Sequence, residues 1–191
     1  PTYTPSPTTT NTPPVALAAV DATITPKVDT YISINYPTTR FDSVAALSVS
    51  GASAPRAILL RFDLTSLAGM YSIDGAYIRL YAVGRSGTDA LTLSAHTLKR
   101  WALGSSTWNY YEQTSPWETA GALGPSDWDS TALDSIDWNY TDNWIEFDVT
   151  ERISSLVAAG VKSASFKIYC ADTDAGWFQF ASLESADSDW Y

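Results

Sequence analysis

An antiparallel all-β sandwich with one short helix is the fold class that this 191-residue sequence predicts, on three observations. Short segments alternate apolar and polar residues between turn clusters, as strands do when one face meets a core and the other meets water. The chain carries 8 Trp, 11 Tyr and 6 Phe but only 1 Met and 1 Cys, an aromatic-rich balance that suits strands. Only one segment has the spacing of a helix.

The strands follow in order. ATIT (22–25) and VDTYISI (28–34) come first, then AILLRFDL (57–64), in which Ile58, Leu60, Phe62 and Leu64 share a face opposite Arg61 and Asp63. AYIRLYAV (76–83) sets Ile78, Leu80 and Ala82 against Tyr77, Arg79 and Tyr81. ALTLSAHTL (90–98), WIEFDV (144–149), ASFKIYC (164–170) and WFQFASL (177–183) complete an eight- or nine-stranded set. The helix is expected over about 149–159, where Asp148 and Glu151 stand at capping-box spacing, Ile153, Leu156 and Val157 share a face, and Gly160 ends the run. Between 101 and 143 the alternation fades, and this Trp/Asp-rich stretch is expected to be a long ordered loop region across one end or face of the sandwich.

Residues 1–20 are set apart as an arm, and 21–191 as the sandwich domain. The first fourteen, PTYTPSPTTTNTPP, hold five Pro and six Thr, which favour extended backbone and supply no core. Such tracts belong mostly to exported proteins, so an extracellular or cell-surface location is expected, with a signal sequence or longer stalk upstream of Pro1. No apolar run of about 18 residues predicts a membrane span.

Against 11 Lys and Arg stand 21 Asp and Glu, a net charge of −10. That surface repels phosphate backbones and anionic lipid, which makes nucleic acid and membrane surfaces poor partners. Cys170 lies in an expected strand and reads as a small buried hydrophobe; a lone Cys makes no internal disulfide.

VDTYISINYPTTRFDSVAALSVSG, RAILLRFDLTSL, IDGAYIRLYAVG, HTLKRW, STWN, WETAG, WIEFDVTERI and FASLES follow one another in an order that resembles the DNRLRE domain, also classed as carbohydrate-binding module family 96, from about Ala22 to Ser185. The resemblance implies a secreted, non-catalytic, jelly-roll-like β-sandwich of the kind found in bacterial and archaeal surface proteins and beside polysaccharide-active enzymes, some members binding polysaccharides such as alginate. Two departures stand out. Thr39-Arg40-Phe41-Asp42 replaces the family's usual Asn-Tyr-Gly, and the final strand of the type Pro-x-Leu-x-Val-x-Tyr is missing after Phe180, Ser182 and Glu184.

The residues themselves offer candidates for three chemistries. The sole His, His96, has no Ser-His-Asp or Cys-His spacing around it and reads as a surface or strand-pairing residue. Asp127, Asp129, Asp134, Asp137 and Asp142 read as solvated or turn-capping carboxylates, so no catalytic residue and no enzyme is expected. For metal, Asp127 with Asp129 and Asp172 with Asp174 stand two apart, a start for calcium ligation without the EF-hand series. For sugar, Trp101, Trp108, Trp117, Trp128, Trp138 and Trp144 form a candidate stacking platform, against the alternative that they staple the long loop to the sandwich. A polyuronate would need a basic patch; Arg40, Arg56, Arg61, Arg79, Lys99 and Arg100 are available, but the net charge opposes a polyanion.

A sandwich without its last strand exposes unpaired backbone groups that recruit a strand. The arm offers one in VALAAV, with Val15, Leu17 and Val20 as the side chains that fill alternate pockets. Donated to the next copy, the arm would build a head-to-tail filament, a homopolymer. Thr8, Thr9, Thr10, Thr12 and Asn139, the last in an Asn-Tyr-Thr sequon, are candidate glycosylation sites. The expected function is therefore a non-enzymatic surface protein assembled by strand exchange, with a carbohydrate-binding module on a Pro/Thr linker as the alternative.

Overall fold

The computed structural model describes residues 21–69, 72–173 and 176–187. Where apolar side chains recur at every second position the backbone is extended. The first strands are β1 (Val28–Ser33), β2 (Ala46–Ser50), β3 (Arg56–Asp63), β4 (Tyr77–Ser86) and β5 (Leu91–Leu98). A small hairpin, β6 (Tyr110–Glu112) with β7 (Ser115–Pro116), precedes β8 (Trp128–Trp138) and β9 (Asn143–Asp148). Helix α1 (Thr150–Ala158), β10 (Ser163–Cys170) and β11 (Trp177–Ala181) complete the order.

The strands build two antiparallel layers. In the first the order is β8-β5-β10-β3, with β1 on the far side of β3; in the second it is β2-β11-β4-β9. The layers join where Ser50 of β2 pairs with Arg56 of β3, so the sandwich is nearly closed along that seam. At the opposite side Asp134 of β8 accepts the Asp148 N–H of β9 (2.9 Å), a side-chain clasp between the two edge strands.

Between the layers lies the main core. Ile58, Leu60, Leu93, Phe166 and Ile168 from the first layer meet Leu47, Leu80, Phe147, Phe178 and Phe180 from the second. Each such side chain contributes about 1.5–3 kcal/mol on leaving water. Cys170 is fully buried there, as its strand pattern predicts.

Helix α1 closes one end. The Thr150 hydroxyl and amide both bond Asp148, which holds that carboxyl below the usual range, and Ile153 and Leu156 turn into the core. The stop is local: Gly160 takes φ +69°, and the Val161 N–H returns to Leu156 O (2.9 Å).

Three expectations need correction. The 101–143 stretch is not one loop, because it contains the β6–β7 hairpin and the eleven-residue edge strand β8, and Asn143 already begins β9. In β8, Ala132, Asp134, Ile136 and Trp138 turn partly or fully inward while Leu133, Ser135 and Asp137 stay outward, an alternation hidden by Asp134 on the inward side and Leu133 on the outward one. ATIT is not a strand, and ALSVS (46–50), absent from the expected set, is β2. The arm residues Val15, Leu17 and Val20, with Thr8, Thr9, Thr10 and Thr12, lie outside the described residues.

Candidate functional site

Each layer of a sandwich has an outer face, and here the two faces differ. On the first layer, outward positions carry Ala57 and Leu59 of β3, His96 of β5 and Lys167 of β10, and residues 99–128 fold across them. Trp108, Trp117 and Ala122 pack down on Ile32, Leu59 and Leu98 to form a second apolar cluster. The Trp117 Nε1–H donates to Thr107 O (2.8 Å), and the Trp108 carbonyl receives the Gly121 N–H (2.6 Å). Only glycine fits at 121: φ is +84°, and a Cβ there would sit 2.6 Å from the Trp108 ring.

Two buried charges tie this cover down. Asp127 is 0% exposed; its Oδ1 accepts from Arg100 Nε (2.8 Å) and the Glu118 N–H (3.1 Å), and its Oδ2 from the N–H groups of Thr119 (3.1 Å) and Gly124 (3.2 Å). Lys167, also 0% exposed, donates to Gly121 O and Ala122 O (both 3.0 Å) and lies 4.0 Å from the centroid of the Trp128 ring. Burial pulls the Lys167 ammonium down to about 7, with Asp127 acting in the opposite direction. His96, expected as a surface or strand-pairing residue, does pair with β8 but is enclosed beside Trp128 (ring centroids 4.5 Å), with Nδ1 donating to Asp129 O (3.0 Å). Burial lowers its pKa, and the neighbouring Lys167 charge lowers it further.

The second layer's outer face holds a different set. β4 points Tyr77, Arg79 and Tyr81 outward, and β9 places Asp148, Glu146 and Trp144 directly opposite them. Tyr77 is 58% exposed. The Tyr81 and Trp144 rings meet edge to face (5.3 Å, 66°), and the Arg79 guanidinium lies over Trp144 (4.7 Å) while its Nε pairs with Glu146 (2.7 Å). Next along is β11, whose Gln179 and Trp177 lie so close over Gly84 that a Cβ would stand 3.3 Å from Gln179 Oε1 and 3.8 Å from the Trp177 ring. Tyr77 and Tyr81 are four residues apart on one strand, about 13 Å.

The six Trp of the expected platform are thus dispersed. Trp108, Trp117 and Trp138 are enclosed, and Trp128 is half-buried over Lys167. Trp144 is half-buried on the second face, and Trp101, 65% exposed, stands on the first. The candidate calcium ligands are dispersed as well. Asp127 and Asp129 lie by the Leu98 end of β5, whereas Asp172 binds the Thr92 N–H (2.5 Å) at its other end; Asp174 lies outside the described residues. Among the described residues no three Asp, Glu, His or Cys side chains converge on a metal-sized site. Asn139 is exposed, and Arg85 donates to its side-chain oxygen.

Sequence reasoning passed over Tyr77, Tyr81, Glu146 and Gln179 as site residues. The available signal was the Tyr-Arg-Tyr set on the outward face of AYIRLYAV, which an ordinary solvated strand does not need. It also passed over Lys167, whose outward position in ASFKIYC reads as solvent-facing until a cover is known.

An aromatic pair, a third exposed ring and side chains that can both donate and accept hydrogen bonds suit the C–H face and hydroxyl rim of a pyranose. Glycoside hydrolysis needs two carboxyls flanking a bond, but here Glu146 is tied to Arg79 and Asp148 to Thr150. Residues 20–191 match the sequence model of carbohydrate-binding module family 96. The chain belongs to that family. As a family 96 domain it is of a class that binds rather than transforms carbohydrate, and its nearly closed antiparallel sandwich is an all-β fold. A search of curated proteins finds no match to the chain. Among the described residues no helix is long and apolar enough to cross a membrane.

Proposed function

We propose that this family 96 domain is a non-catalytic extracellular module that binds a neutral polysaccharide along the outer face of β4, β9 and β11. The observation that carries the reading is the aromatic and polar surface of Tyr77, Arg79, Tyr81, Trp144 and Glu146, over which no segment among the described residues folds. Its length suits several sugar units rather than one. Its charge favours a neutral chain, because Glu146 neutralises Arg79 at 2.7 Å and the whole chain is at −10. Isothermal titration with cellohexaose, xylohexaose, mannohexaose and an oligogalacturonate tests it. Binding of a neutral hexasaccharide that falls about tenfold or more in Trp144→Ala is expected; no heat from any neutral sugar would sink the reading.

Strand-exchange assembly is a second reading, favoured by the surroundings of β1. Among the described residues β1 pairs with β3 alone, and the turn after β11 is pinned beside it: the Leu183 N–H donates to Asp29 (2.8 Å), and the Ser182 hydroxyl donates to Val44 O. A strand supplied by Val15, Leu17 and Val20 of a neighbouring copy would add to that edge. Negative-stain microscopy and light scattering with and without residues 1–20 decide it: filaments that vanish on deletion support assembly, and monomers in both samples refute it.

A further inference from the structure

The first layer's outer face carries an aromatic residue that its cover does not use. Trp101 is 65% exposed, more than any other large apolar side chain among the described residues. Its neighbours explain why it stays outside. Arg100 is held by Asp127 (2.8 Å) and stacks on Tyr111 (4.6 Å), while Ala102 is fully buried with its N–H on Ser165 Oγ (3.3 Å). With residues 100 and 102 both anchored inward, the backbone presents the indole to solvent.

A cation stands next to it. Arg61 projects from the same outer face of β3, its Cζ 5.9 Å from the Trp101 ring centroid. Among the described residues no carboxylate lies within ion-pair distance of Arg61, in contrast to Arg79 and Arg100. Its guanidinium donors are therefore available to a ligand lying along the indole. A fixed ring beside a guanidinium repeats in small form the pairing of Arg79 with Trp144, here with the ring more exposed and no carboxylate partner on the cation.

We propose that Trp101 and Arg61 form a second saccharide contact, and that the domain bridges two polysaccharide chains, one on each outer face. The inference rests on the glycan-binding reading above. The two surfaces belong to opposite layers, with the core between them, so one extended chain cannot lie on both. Two chains are required.

Stoichiometry tests it. The full 191-residue chain is titrated with whichever of cellohexaose, xylohexaose or mannohexaose binds, alongside Trp101→Ala, Trp144→Ala and the double variant. Two equivalents are expected for the unaltered chain, one for each single variant and none for the double. Mixed with the matching soluble polymer (hydroxyethylcellulose, arabinoxylan or glucomannan), the unaltered chain should raise light scattering, and either single variant should not. One equivalent that survives Trp101→Ala and disappears in Trp144→Ala would overturn the bridge and leave the β4–β9 site standing. No binding of any hexasaccharide would remove both proposals. Trp101 is so exposed that its replacement leaves the core intact, and an unchanged thermal midpoint verifies this.

Discussion

Lys167 of β10 and Arg79 of β4 both occupy outward positions of alternating strands, yet Lys167 is fully enclosed and Arg79 is about half exposed. The difference lies in what happens beyond the strand. Residues 99–128 return over the first layer and turn its outer face into a second interior, where a charge persists only with partners: Gly121 O, Ala122 O, the Trp128 ring and Asp127 behind them. Nothing among the described residues returns in that way over β4 and β9, and Arg79 meets its carboxylate in water-accessible space. Alternation therefore identifies which side of a strand a residue takes, but not whether that side is wet.

The contrast predicts very different sensitivities, and Asp127→Ala should be the most damaging. It removes a fully buried carboxylate that accepts from Arg100 and three backbone N–H groups, leaving those donors and the Lys167 charge without their partner. A loss of about 3–5 kcal/mol is expected in urea denaturation, and a loss below about 1 kcal/mol would mean that the cover is not fastened there.

Lys167→Met comes next. The thioether fills a similar volume but leaves the carbonyls of Gly121 and Ala122 unpaired, at a cost of about 1–3 kcal/mol. The pH profile separates charge from packing. In the folded chain the Lys167 pKa falls to about 7, while an unfolded lysine keeps about 10.4. Between those values the unfolded state binds more protons, so this residue makes stability rise with pH across the window; its penalty is complete below about 7. Asp127, His96 and Tyr169 surround the ammonium, so the comparison is made against the Met variant, which should lack that share of the slope. Identical slopes in the two proteins would refute a depressed lysine.

How far the sequence foretold this is clearest residue by residue. Ile58, Leu60 and Phe62 announced β3, and Asp148, Glu151 and Gly160 bracketed the helix within about a residue, because strand alternation and helix ends are local signals. β8 went unseen because its inward positions include Asp134, which turns in to cap an N–H of β9, a role fixed only by tertiary pairing. The enclosed state of His96 and Lys167 was equally hidden, since it depends on how residues 99–128 fold back over both strands, which alternation within a strand does not report. Of the saccharide-binding candidates, Trp144 and Trp101 were legible as aromatic residues, but their separation onto opposite faces was not.

On the open face, substitutions should move binding and hardly touch stability. Tyr77 is more than half exposed, so Tyr77→Ala should shift the unfolding free energy by no more than about 0.5 kcal/mol. The same variant should weaken binding of the active hexasaccharide about tenfold, read by titration, if the ring carries one end of the ligand. Unchanged affinity would confine the site to Tyr81 and Trp144.

A similarly small effect on stability belongs to the ion pair that distinguishes Arg79 from Lys167. Glu146→Gln removes a partner at 2.7 Å, but both side chains are about half exposed, so water replaces much of what is lost and stability should change by less than about 1 kcal/mol. The consequence for recognition is larger. With Glu146 neutral, the Arg79 charge beside Trp144 is uncompensated, and the face should begin to accept the oligogalacturonate, with an affinity that weakens as salt rises. If Glu146→Gln binds the acidic oligomer no better than the unaltered chain, the preference for a neutral polysaccharide does not originate in this pair, and the net charge of −10 must be acting from elsewhere on the surface.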